Sequence, residues 1–184
     1  MLKTVELNKR LKKIRLLISD IDGVLTDGSI IIDDLGKETK KFSVRDGLGF
    51  FLARQGGLKT AFLTAGGSKA LEFRAKACGI DYVIKNRPYK LAAFKELCRL
   101  AKVTPAEVLY VGDDLIDLPV ITKAGIGVAV ADAVPEVRHS ADYITKKAGG
   151  QGAVREVVEK ILKIQGVWEL IINKLHQDNE KNKK

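Results

Sequence analysis

From residue 15 onward, short runs of β-branched residues alternate with helical patterns, a rhythm that suits a parallel sheet covered by helices. Residues 15–21 read as a first buried strand, and 59–63, 82–84, 108–111 and 127–130 read as later ones. Helical patterns fall between them near 47–55, 68–78, 89–101, 115–123 and 134–139. The expected fold class is α/β, with helices on both faces of the sheet. Thr104-Pro105-Ala106-Glu107 has the cap, first-turn proline and acid of a helix start, but the strand at Val108 leaves room only for a short turn. Residues 28–44 break the rhythm. They read as two strands around Asp33-Asp34-Leu35-Gly36, an antiparallel hairpin inserted after the first strand. An isolated hairpin is marginal in water, so its Ile30-Ile31-Ile32 run packs either on its own domain or on another subunit. After the glycine-rich turn 148–152, residues 153–164 form an amphipathic helix with Val154, Val157, Val158, Ile161 and Leu162 on one face. A further short helix is predicted over 167–175.

At 184 residues and 46% hydrophobic, the chain holds one sizeable core. A single domain is expected over 1–166, with 167–184 as a C-terminal extension. The formal charge of +9 raises the question of nucleic acid, and its placement argues against it. Residues 1–15 carry +5 and residues 174–184 carry +2, which leaves +2 for everything between. The basic ends read as solubilising tails, with no partner in nucleic acid. No apolar run approaches the ~20 residues that span a bilayer, and the first residues lack a signal peptide's apolar core. A cytoplasmic protein without a membrane partner is expected. Cys78 and Cys98 sit in apolar helical patterns and read as reduced packing residues. His139 and His176 read as surface or capping residues.

The chemistry concentrates at strand ends. The first strand runs into Asp20-Ile21-Asp22-Gly23-Val24, two carboxylates separated by one residue. Thr64 follows the second parallel strand, Lys90 lies at the start of a helix, and Gly112-Asp113-Asp114-Leu115-Ile116-Asp117 follows the fourth. In an open parallel sheet such ends border one crevice. This set resembles the motifs of the haloacid dehalogenase superfamily over residues 15–165, which implies a Rossmann-like sheet and phosphoryl-transfer chemistry. The resemblance implies that Asp20 is the nucleophile, forming an aspartyl phosphate, and that Asp22 is the general acid and base. Thr64, with Ser68 as a weaker helper, would bind phosphoryl oxygens, and Lys90 would stabilise Asp20 and the transferring group. Two carboxylates facing a phosphate dianion require a hard cation, for which Mg²⁺ suits. Its implied ligands are Asp20, Asp113 and the backbone carbonyl of Asp22. Asp114 and Asp117 either orient metal-bound water or cap the following helix. Lys85 and Arg87 compete with Lys90 by position only.

No insertion is long enough for a large cap domain. The small hairpin, Val44-Arg45-Asp46-Gly47, the Gly112–Asp117 run and Gly149-Gly150-Gln151-Gly152-Ala153 together resemble the 3-deoxy-D-manno-octulosonate 8-phosphate phosphatases, cap-less homotetramers. That resemblance implies a small phosphorylated sugar acid as substrate, with Arg45 and Asp46 contacting it unless they form a hairpin-ending salt bridge. Two departures stand out. Thr64-Ala65-Gly66 replaces the group's usual Thr-Gly-Arg, and Gln151 stands where Arg is common. A nonulosonate 9-phosphate or another phosphosugar is the alternative substrate, and a non-catalytic oligomerisation module of the same fold is the alternative class.

Overall fold

The computed structural model describes residues 1–181. In chain order it contains α1 (Thr4–Leu11), β1 (Leu16–Ser19), β2 (Ile31–Ile32), β3 (Glu38–Thr39), α2 (Val44–Gln55), β4 (Lys59–Leu63), α3 (Lys69–Cys78), β5 (Tyr82–Ile84), α4 (Lys90–Ala101), β6 (Val108–Gly112), α5 (Leu118–Ile121), β7 (Ile126–Ala129), α6 (Pro135–Ser140), β8 (Tyr143–Ile144), α7 (Ala153–Ile164) and α8 (Trp168–Lys181). Six strands form one sheet in the order β5-β4-β1-β6-β7-β8, every pairing parallel. The chain steps from β1 outward through β4 to β5, then crosses back to β6 and steps the other way. Right-handed crossovers therefore place α2 and α3 on one face and α4, α5 and α6 on the other. The contacts agree: α2 packs on α3 and α7, whereas α4 meets α5 and α5 meets α6. The reversal between β1 and β6 is the topological switch point, and it is where the carboxylate-bearing strand ends lie.

Burial explains the strands. β1, β6 and β7 are enclosed along their whole length, as expected for apolar runs covered on both faces. Phe50 of α2 meets Phe62 of β4 edge to face at 5.3 Å. Cys78 and Cys98 are free and buried, and burial pushes both thiols up. The 105–107 segment is one 3₁₀ turn whose Thr104 and Glu107 cap each other reciprocally. In the hairpin, Asp33 Oδ1 accepts from the Leu35 and Lys37 amides at 3.0 and 2.8 Å, which turns the chain.

Three expectations need correction. The first fifteen residues are not a solubilising tail, because α1 buries Leu7 and Leu11 and touches α7 and β7. Those two leucines, four residues apart, make a single apolar stripe on an otherwise charged helix. The hairpin strands are two residues each, and α2 starts at Val44, where Ser43 Oγ accepts from the Arg45 amide at 3.2 Å. The last helix continues past residue 175 to Lys181, seated by buried Ile171 and by Trp168 under the cations of Arg155 and Lys163. The C-terminal lysines 183 and 184 lie outside the described residues.

Candidate active site

Register brings the acids together. Ser19 of β1 pairs with Val111 of β6, and the Asp20 amide donates to the Val111 carbonyl at 3.0 Å. The side chains following both strands thus emerge side by side at the carboxyl edge. Asp20, Asp113 and Asp117 each place a carboxylate oxygen within 4.8 Å of the others. Gly23 makes room for this: at φ +84°, a Cβ on it would stand 1.9 Å from Asp113 Oδ2. Above the acids lies a cleft of about 220 Å³ lined by Asp20, Asp22, Thr64, Asp113 and Asp114, with Gly23 and Ile116 among its walls.

One cation holds the floor. Lys90, the first residue of α4, has a fully buried side chain, and its Nζ lies 2.7 Å from Asp20 Oδ2 and 2.6 Å from Asp117 Oδ1. Burial alone would push its ammonium down, but the two carboxylates outweigh it and hold the pKa above the usual lysine value. Lys85 and Arg87 pair elsewhere, with Glu72 and Glu96. Asp117 also accepts from the Tyr110 hydroxyl at 2.5 Å and from the Asp113 and Asp114 amides at 2.9 and 3.3 Å. Asp114 caps the 3₁₀ turn 115–117 through the Leu115 amide at 2.6 Å. Burial and the negative charge of Asp117 lift the Tyr110 hydroxyl well above its ordinary value, so it stays a donor.

The acids are poised for a cation. Burial, then repulsion from Asp117, raises Asp20 to about 7 against the pull of Lys90, and burial, then Asp20 and Asp117, raises Asp113 to about 8. Asp113 Oδ1 is buried with no hydrogen-bond partner among the described residues. An orphaned carboxylate oxygen beside a second carboxylate, in an all-oxygen set, fits a hard divalent ion. A pH effect follows. A carboxyl whose folded pKa is raised contributes stability that is fully present below its unfolded value near 4 and is lost as pH rises through the folded value. The metal-free protein should therefore melt at progressively lower temperature as pH rises from 4 through 8. Asp113→Asn should raise metal-free stability at pH 8 by roughly 2 kcal/mol or more, well below the ~6 kcal/mol that a rise from about 4 to about 8 would give in full at about 1.4 kcal/mol per pKa unit, because the carboxyl is partly exposed to water. Calorimetric melting across pH checks this, and a variant less stable than the parent at pH 8 would refute the assignment of strain to Asp113.

The remaining predicted residues separate into two groups. Thr64 lines the cleft, buried, with its Oγ1 accepting from the Gly66 amide at 3.0 Å. Asp22 also lines it and is paired with Lys40, a residue the sequence reading missed. Lys40 comes from the end of the hairpin, its side chain only 7% exposed, and also reaches Glu38 at 2.7 Å. The hairpin is thereby tied to the loop that carries Asp22. Ser68 stands at the N-cap position of α3 without a side-chain cap bond and is absent from the cleft lining; its Oγ is buried and has no partner among the described residues. Arg45 and Asp46 are not brought to the cleft. Asp46 is buried and caps α7, accepting from the Arg155 amide at 2.9 Å, because its position in the first turn of α2 faces that helix start. Nor does it form the salt bridge considered for the hairpin end. Arg45 is exposed and lines a separate basic cleft with Gln151, Lys146 and Arg155. A Cβ at Gly66 would lie 3.4 Å from Asp22 Oδ2, so no side chain stands beside Asp22 at the position where the resemblance implies arginine. His139 and His176 are exposed on α6 and α8.

The chain is similar in sequence and fold to a group of named phosphatases. Residues 73–157 match the family of haloacid dehalogenase-like hydrolases. The 3-deoxy-D-manno-octulosonate 8-phosphate phosphatase of Escherichia coli strain K12 is 46% identical over 155 residues, covering 84% of this chain and 82% of that protein. A crystal structure of the same-named enzyme from Moraxella catarrhalis, in complex with magnesium, phosphate and KDO, superposes with a TM-score of 0.91 at 39% identity, covering 94% of this chain and 99% of that one. The Yersinia pestis counterpart gives 0.87 at 43% identity, covering 89% of each chain.

Proposed function

Because the chain belongs to the haloacid dehalogenase-like hydrolases, in the group of the 3-deoxy-D-manno-octulosonate 8-phosphate phosphatases, we propose that it is a Mg²⁺-dependent phosphatase that hydrolyses that sugar-acid ester. The observation that carries this reading is the Asp20 carboxylate, tethered by Lys90 at 2.7 Å on the floor of a cleft walled by Thr64 and Asp113. When bound, Mg²⁺ would be held by Asp20 and Asp113 with the Asp22 carbonyl, and it offsets the charge of phosphate and carboxylates.

Asp20 attacks phosphorus, and the P–O bond to the sugar breaks as the aspartyl phosphate forms. Lys90 keeps the Asp20 oxygen aimed and balances charge on the transferring group, and the Thr64 hydroxyl takes up one phosphoryl oxygen. Asp22, at the mouth of the cleft, protonates the departing alkoxide and then takes a proton from the water that cleaves the acyl phosphate. To act as the acid, Asp22 must part from Lys40 and carry a proton, which it regains from that water at the end of each cycle.

The second substrate reading, a nonulosonate 9-phosphate or a related phosphosugar, rests on Gly66, which puts no side chain beside Asp22. Phosphate release with Mg²⁺ should be compared across octulosonate 8-phosphate, nonulosonate 9-phosphates and hexose phosphates. A kcat/KM at least tenfold above the others for the octulosonate ester is the expected outcome. A preference for another ester keeps the chemistry and replaces the substrate, and no turnover of any ester favours the oligomerisation module.

The same reading includes a homotetramer working in the cytoplasm. Its support is apolar surface on the hairpin, where Ile30, Ile32 and Leu35 are 68%, 63% and 93% exposed, and on the neighbouring start of α2 at Val44. No helix among the described residues is long and apolar enough to cross a membrane. Light scattering at micromolar concentration measures the assembly, and a monomer would remove this part of the proposal.

A further inference from the structure

A carboxylate offers about four lone-pair positions, two on each oxygen. Asp117 has a donor at every one: Lys90 Nζ and the Tyr110 hydroxyl on Oδ1, the Asp113 and Asp114 amides on Oδ2. The residue is fully buried, so these four donors replace water entirely. Asp117 stands within metal-sharing distance of Asp20 and Asp113, yet it has no free lone pair to offer, while Asp113 keeps an oxygen without a partner. The three acids are thus divided by their hydrogen bonds into ligands and a brace. Three of the four donors are bound to the site by other needs: two are backbone amides of the loop itself, and one is Lys90. The fourth is the Tyr110 hydroxyl, whose hydrogen bond among the described residues goes to Asp117. It lies in the middle of β6, buried, with its hydroxyl directed at Asp117.

We propose that Tyr110 is a positioning residue that acts through Asp117: its hydroxyl saturates the carboxylate, keeps it out of the cation's coordination shell and reserves it for Lys90. The inference rests on the phosphatase reading above and adds a division of labour within its acidic cluster. Without the hydroxyl, one Asp117 lone pair is released inside a pocket that water does not reach, and the nearest unsatisfied positive charge is the bound cation. Asp117 then turns partly from Lys90, and Lys90 loses its aim at Asp20.

Tyr110→Phe changes no charge and preserves the ring packing. At saturating Mg²⁺, kcat should fall by about tenfold with KM within about twofold, the pattern expected when an interaction used in the transition state is lost. Calorimetric titration with Mg²⁺ alone should give a dissociation constant severalfold tighter than that of the parent. An unchanged or weaker Mg²⁺ affinity, or unchanged turnover, would overturn the proposal, because simple loosening of the core weakens both properties together. A second comparison covers the case in which the phenylalanine protein folds poorly. Asp113→Asn and Asp117→Asn each remove one negative charge from the same cluster, so the difference between them isolates ligation. Mg²⁺ binding should be abolished in the first and weakened by no more than about 10–100-fold in the second; equal losses in both would make Asp117 a ligand and refute the assignment. If the parent protein releases phosphate from no ester, the phosphatase reading fails, while the calorimetric comparison still decides the place of Asp117.

Discussion

Asp20→Asn should lower phosphate release by about 10⁴-fold or more, because Asp20 is the cleft carboxylate that Lys90 aims at 2.7 Å and the aspartyl phosphate cannot form on an amide. The same substitution should leave the protein more stable without metal at pH 8, not less. Asp20 is buried beside Asp117 and Asp113, and its carboxyl is raised to about 7 by that burial and repulsion. An amide removes one of three crowded negative charges and leaves Lys90 paired with Asp117 at 2.6 Å. Activity and stability thus move in opposite directions, which separates a chemical role from damage to the fold. Steady-state phosphate release and calorimetric melting at pH 8 measure the two effects. A variant that retains a tenth of the parent's turnover would remove Asp20 from the nucleophile's position. One that melts below the parent would show that the acidic cluster is not under electrostatic strain.

How much of this was legible in the chain depends on the range of each interaction. The parallel strands were readable because β1, β6 and β7 are buried on both faces and so are apolar throughout. β8 was not, since Tyr143–Ile144 is a two-residue edge strand with half-buried side chains and no periodicity to detect. α1 was obscured by its charge: Leu7 and Leu11 are a two-residue stripe among lysines and arginines. At the site, Asp20, Thr64, Lys90 and Asp113 could be named because each follows a strand or opens a helix in the pattern that the haloacid dehalogenase resemblance implies. The work of Asp46 could not, because its partner amide at Arg155 is 109 residues away and only the α2–α7 packing joins them. Lys40 was hidden for the same reason, being a hairpin lysine among several until the hairpin folds back on Asp22. Asp117 was left between two readings, and its fourfold hydrogen bonding depends on Tyr110 and Lys90, which no local spacing connects.

Lys90→Met should have the largest effect on stability of any single change in the site. The methionine fills much the same space as the lysine stem, so the loss is chiefly that of the charge. Removing it leaves Asp20 and Asp117, both buried, without the cation that now lies 2.7 and 2.6 Å away. Breaking a buried pair by deleting one partner costs about 3–5 kcal/mol, since the remaining charge cannot reach water. Here two carboxylates are abandoned and repel Asp113 as well. The cost depends on pH in a defined direction. Without Lys90, the one group now pulling strongly against the upward shifts of Asp20 and Asp113 is gone, so both carboxyls rise further. Groups with raised folded pKa values contribute stability at low pH that is lost as pH rises through those values. The deficit relative to the parent should therefore be small near pH 4, grow through neutrality and be greatest at pH 8. Turnover should fall at least 10³-fold at every pH, because neither Asp20 nor the transferring phosphoryl group keeps its counter-charge. Added Mg²⁺ should recover part of the stability at pH 8 but little of the turnover, since a cation held by Asp20 and Asp113 does not reproduce a donor aimed from beneath Asp20. Chemical denaturation at several pH values, with and without Mg²⁺, tests this. A deficit that does not vary with pH would mean that the methionine acts by packing, and that the lysine's charge is not what holds the acids together.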